Sequence, residues 1–169
     1  TQVTRTLGGS AVAHENANDV ADLTVTFDAT AFVNNTVATN VTNYEVADRI
    51  IDFNDTASLA YSVGTFTEST SNDGSIGNTI VIDLTNDTFA ASMAGKVTIG
   101  NVPTGLTASA VRNSATQMEI SLTGNASAHT NANDISNLSI SFDDTAFVST
   151  TLAADVTDST KSDVVVDFS

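Results

Sequence analysis

Oxygen donors dominate the residues of this chain that could do chemistry. Asn16, Asn18 and Asp19 sit on one short run, and Asn131, Asn133 and Asp134 repeat the same spacing further along. Carboxylate and carbonyl oxygens hold hard cations such as calcium, so each run is a candidate calcium loop. Asp52 and Asp55, with Asn54 between them, form a second cluster, and Asn72 and Asp73 near Glu68 form a third. Asn and Asp are also strong turn formers, and none of these spacings is an EF-hand loop. Calcium is therefore the one cofactor expected, with Asp52, Asp55, Asn131, Asn133, Asp134, Asn16, Asn18 and Asp19 as its ligands.

Catalysis has less to stand on. The histidines, His14 and His129, occupy the same position of two similar segments, each before an Asn-rich turn. A nucleophilic triad needs Ser, His and an acid brought together, and Ser and Asp are too common here for their presence to discriminate. Packing against the turn is the expected role of both imidazoles. There is no cysteine, which excludes thiolate nucleophiles, thiolate metal sites and disulfides. No Gly-rich phosphate loop or His-Glu-x-x-His helix occurs. Lys96 and Lys161 are the only lysines, and Lys161 aligns with Val46, so the two segments share no lysine for an isopeptide bond. The chain is expected not to be an enzyme.

Charge narrows the partners. Five Lys and Arg face 20 Asp and Glu, for a net charge of -15 in 169 residues. Phosphate-neutralising cations are nearly missing, which argues against nucleic acid and against an anionic membrane surface. No apolar run approaches the length of a membrane span. The hydrophobic fraction of 41% is that of a chain able to build a core.

The elements that must position these residues come in a repeat. Thr1-Gln2 matches Thr116-Gln117, and the match runs ungapped to Asp52-Phe53 against Asp167-Phe168, a constant offset of 115 with roughly half the positions identical. One complete unit thus covers residues 55–169, and residues 1–54 are the C-terminal half of a preceding repeat. The partners of that half lie in a longer array or in another chain.

Apolar residues alternate with hydroxyls at Leu23-Val25-Phe27, Met118-Ile120-Leu122 and Leu138-Ile140-Phe142, the mark of half-buried strands. Further strands are expected at Val3–Leu7, Ile50–Phe53, Leu59-Tyr61-Val63, Ile80-Ile82-Leu84, Val97-Ile99, Leu106-Ala108 and Val164-Val166-Phe168. Asn72-Asp73-Gly74 and Pro103-Thr104-Gly105 read as turns. Asp28–Val33, Asp143–Val148 and Asp87–Met93 read as short helical turns capped by Asp or Thr. Strands at this spacing predict an all-β fold, an antiparallel sandwich with Leu138, Ile140, Phe142, Val166 and Phe168 in its core.

The run Phe66-Thr67-Glu68-Ser69 to Asn72-Asp73-Gly74-Ser75-Ile76, then Gly95 to Ala108, then Leu122-Thr123-Gly124-Asn125-Ala126 and His129 to Asp134, resembles the beta-strand repeats of very large bacterial surface proteins. That resemblance covers the whole chain. It implies Ig-like sandwich modules in tandem, an extracellular cell-surface location, and a structural role in a stalk, surface layer or filament. Partners would be neighbouring repeats or subunits of the same protein, up to a homopolymer. The alternative is an adhesin module recognising a carbohydrate or host surface, although Trp is absent and Tyr44 and Tyr61 are the only tyrosines.

Overall fold

The computed structural model describes residues 4–12, 18–34, 37–53 and 55–169. The chain divides into two compact units, Thr1–Asp55 and Thr56–Ser169. The fold is all-β with several sheets, and among the described residues the strand pairs are antiparallel with one exception.

In the N-terminal unit, strands β1 (Val20–Thr26) and β2 (Glu45–Ile51) pair antiparallel. Single 3-10 turns at Ala29–Ala31 and Ala38–Asn40 shape their connection. Asp28 caps the first turn, accepting from Thr30 N at 2.9 Å and Thr30 Oγ1 at 2.8 Å. A side-chain oxygen here satisfies an N–H that a helix start leaves without an internal partner.

The C-terminal unit holds β3 (Ser58–Tyr61), β4 (Thr65–Thr67), β5 (Ile80–Thr85) and β6 (Val97–Gly100). It continues with β7 (Leu106–Arg112), β8 (Gln117–Gly124), β9 (Ile135–Phe142) and β10 (Thr160–Asp167). They make two four-stranded sheets, ordered β3-β5-β8-β7 and β4-β10-β9-β6, with β4 and β10 the parallel pair. Alternate residues of β5, β8 and β9 are buried, so every second side chain points to one face. Those inward residues belong to one buried cluster drawn from both sheets, including Ile82, Ile120, Leu138, Ile140, Val166 and Phe168. Each such side chain contributes roughly 1.5–3 kcal/mol by leaving water. Phe89, Phe142 and Phe147 meet at one end, with ring centroids 5.7 to 6.2 Å apart.

All five core residues expected from the alternation are buried. The pattern misjudges four places. The expected strand Val3–Leu7 does not form over Thr4–Leu7, and Val3 lies outside the described residues. Its counterpart after 115 residues is β8, whose ladder hydrogen bonds come from β5 and β7. The N-terminal unit contains neither, and a strand needs a neighbour to hold it. Leu59-Tyr61-Val63 is not one strand: the chain breaks after Tyr61 and passes from one sheet to the other as β4. Asp87–Met93 forms no helical turn, because Phe89 bridges to Phe147 and enters the core. The strand expected at Ile50–Phe53 ends at Ile51 and begins as early as Glu45.

The repeat is geometric as well as sequential. The β1–β2 register pairs Val20 with Ile51, Leu23 with Arg49, Val25 with Val46 and Thr26 with Glu45. Adding 115 to each number gives the β9–β10 pairs Ile135 with Val166, Leu138 with Val164, Ile140 with Lys161 and Ser141 with Thr160. The irregularities fall at the same two places. Asn43 and Asp158, also 115 apart, share a left-handed φ of 60°.

Candidate functional site

One densely connected polar group in the C-terminal unit is the carboxylate of Glu68, just past β4. Glu68 is buried, although carboxylates are seldom buried without partners. Its Oε1 accepts from Gly74 N at 2.6 Å, and its Oε2 accepts from Ser169 N at 2.7 Å. His129 Nδ1 lies 2.9 Å from Oε1. This ring nitrogen is buried and has no aligned hydrogen-bond partner. The backbone bond from Ser169, helped by that from Gly74 and by the imidazole, holds the Glu68 carboxyl below its usual range against the opposing effect of burial.

The local sequence explains this convergence. Gly74 has φ +81°, and a Cβ there would stand 2.7 Å from Ala126 O and 2.9 Å from Ala126 N. Only glycine lets the Asn72-Asp73-Gly74 turn press against the loop that carries His129. Ala126 N donates to Gly74 O at 2.9 Å, and Asn125 Nδ2 donates to Asp73 O at 2.8 Å. Asp73, exposed, accepts from Ser75, whose hydroxyl and N–H lower its carboxyl pKa. Both Glu68 oxygens are taken by backbone donors. A carboxylate beside an imidazole is two-thirds of a hydrolytic triad, but this one braces the strand end, the turn, the His129 loop and the C-terminal segment.

Other carboxylates act in the same way. Asp87 accepts from Thr88 N at 2.6 Å, Ser149 N at 2.9 Å and Thr150 N at 2.8 Å. Burial opposes its ionisation, but the three donors outweigh burial and hold the carboxyl at about 2. Asp143 caps the turn Asp144–Ala146 through Thr145, and Asp144 Oδ1 accepts from Ala153 N at 2.7 Å.

The expected calcium ligands divide into groups. Asp134 Oδ1 accepts from Phe168 N at 2.9 Å, and Asp19 Oδ1 accepts from Phe53 N at 2.9 Å. The same aspartate thus ties the same hairpin shut in both repeats. Asn133 Oδ1 accepts from Thr130 N and Thr130 Oγ1, closing a capping box over Asn131–Asn133. Asn16 lies outside the described residues, as do His14 and Asn54, while Asn18 is described and exposed. Asp52 and Asp55 accept no hydrogen bond through their side chains from the described residues. Among the described residues, no group of three or more His, Asp or Glu is placed to hold a metal ion.

Sequence reasoning missed the Glu68–His129 pairing and Asp87. Glu68 was legible only as a neighbour of Asn72 and Asp73, because nothing in the order of residues links it to His129 or to the C-terminal segment. A second feature it missed is an open concavity of about 500 Å³ lined by Ala91–Gly95, Val97, Ala110 and Arg112. The Arg112 Nε there is buried without a partner.

No family model matches the chain, and neither a curated protein nor a solved structure matches it. Among the described residues, no helix is long and apolar enough to cross a membrane.

Proposed function

We propose that this chain is a structural module of an extracellular bacterial surface array, stalk or filament, built from tandem Ig-like sandwiches. The observation that carries this reading is the recurrence of one hairpin, with one register and one aspartate clamp, at an offset of 115 residues. Tandem modules give length, and each supplies its own core. Strand order supports the Ig-like assignment. With β3, β5, β8 and β7 as strands A, B, E and D, and β6, β9 and β10 as C, F and G, the order follows that of immunoglobulin sheets. The carboxylates favour a structural role too, since Glu68, Asp87, Asp134 and Asp143 each fasten backbone in place.

Electron microscopy of native material carrying this sequence tests the proposal. Filaments, strings of beads or lattices are expected. Dispersed single particles, with surface binding lost when the chain is removed, would favour an adhesin. The concavity lined in part by Arg112 supports this second reading, because a guanidinium suits an acidic sugar or carboxylate. A glycan array separates the two, with Arg112→Ala as its control.

A further inference from the structure

We infer that the β1–β2 hairpin of the N-terminal unit is a docking face for an unpaired half-unit of the residue 56–115 kind, meaning a polypeptide segment able to supply strands equivalent to β3–β7. The inference goes beyond the proposed function and does not depend on where the protein works.

The molecule contains its own template. The β9–β10 hairpin has the register of β1–β2, and in the C-terminal unit elements preceding residue 116 cover it. Leu138, Ile140 and Phe142 are buried there, whereas their equivalents Leu23, Val25 and Phe27 are only half-buried. Val166 and Phe168 are buried, and their equivalents Ile51 and Phe53 are again half-buried. Leu122 is 4% exposed on β8, but its equivalent Leu7 is 74% exposed.

A glycine pair makes the same point from the backbone. Gly124 has φ +94°, and a Cβ on it would stand 2.6 Å from Gly105 O, at the turn into β7. Gly9, at the equivalent position, has φ +98° and nothing within 4 Å. The residue shaped for a close approach is present, and among the described residues nothing approaches it. The strand expected at Val3–Leu7 fails for the same reason over its described residues. Its equivalent, β8, lies between β5 and β7 and pairs with both.

The occupant follows from this template. An apolar hairpin face with free ladder edges takes further strands. The segment whose side chains already fit this register is the one that covers β9–β10. A second intact copy of the chain fits less well, because its own residues 56–115 are engaged with its own β9 and β10.

The test uses the whole chain of 169 residues, probed with residues 56–115 fused to a soluble carrier. Amide exchange is read separately over residues 20–53 and 135–168. The fusion is expected to slow exchange across Val20–Thr26 and Glu45–Ile51 by about tenfold or more, at one fusion per chain. Phe27→Asp in the chain and Ile82→Asp in the fusion should each abolish this protection. Ala21→Asp, on an exposed position of β1, should leave it intact. Wild-type exchange over residues 20–53 in the absence of the fusion shows that each chain variant keeps its hairpin, and unchanged exchange over residues 135–168 shows that its C-terminal unit is intact. No protection at saturating fusion would overturn the inference, as would equal protection by the Ile82→Asp fusion. Equal protection by a second copy of the whole chain would overturn the choice of occupant.

Discussion

Phe142 and Phe27 are one residue in two settings, and truncating each to alanine separates the contribution of the closed core from that of the strand. Phe142 is 6% exposed and packs against the rings of Phe89 and Phe147 at 5.7 and 5.8 Å. Removing a buried phenylalanine costs about 3–5 kcal/mol through lost transfer energy and the cavity left behind. The two ring contacts add about 0.5–1.5 kcal/mol each where they are well formed, which places Phe142→Ala at the upper end of that range. A unit of this size loses roughly 4 °C of melting temperature per kcal/mol, so the C-terminal unit should melt roughly 15–20 °C lower. Phe27 is half-buried and has one ring neighbour, Phe32, at 6.1 Å. Phe27→Ala should leave the melting of the C-terminal unit unchanged and cost the N-terminal hairpin about 1 kcal/mol. Calorimetry gives the melting temperatures, and amide exchange assigns each loss to its unit. Equal losses from both variants would refute the reasoning, because burial in the core of the C-terminal unit would then not be what makes Phe142 matter.

Four further outcomes are expected. Asp87 is held near 2 in the folded chain against an ordinary 3.8, so its contribution is present above about pH 4 and lost as pH falls toward 2; urea titrations from pH 5 to pH 2 should show that acid-side loss in the wild type and lack it in Asp87→Asn. Gly74→Ala, at φ +81° and 2.7 Å from a backbone oxygen, should cost about 2 kcal/mol or more by denaturant melting, while Gly9→Ala, at φ +98° in open space, should cost about 1 kcal/mol. Glu68→Gln should lower the melting temperature and loosen Gly74 and Ser169 in amide exchange, because its two carboxylate oxygens hold both backbone N–H groups. Calcium held by Asp52 and Asp55, the sequence expectation, would show as a melting temperature raised in millimolar calcium and a rise lost in the double change to Asn; identical curves in calcium, magnesium and chelator would remove the ion from the account.

Local chemistry determined much of this protein before any tertiary contact was known. Alternation at Leu138-Ile140-Phe142 and Val164-Val166-Phe168 sets which face is buried, because a strand has a period of two whatever it packs on. The offset of 115 places the hairpin twice, and Asp28 and Asp143 cap their turns through residues two positions away. Tertiary structure decided what depends on partners distant in the chain. Thr4–Leu7 and Gln117–Gly124 carry similar patterns, yet only the second is a strand, because ladder hydrogen bonds come from neighbours. Asp19 and Asp134 look like cation ligands in sequence, but each meets a backbone N–H that arrives 34 residues later. Glu68 meets Ser169 from 101 residues away. A buried carboxylate needs donors, and only the folded chain determines which donors reach it.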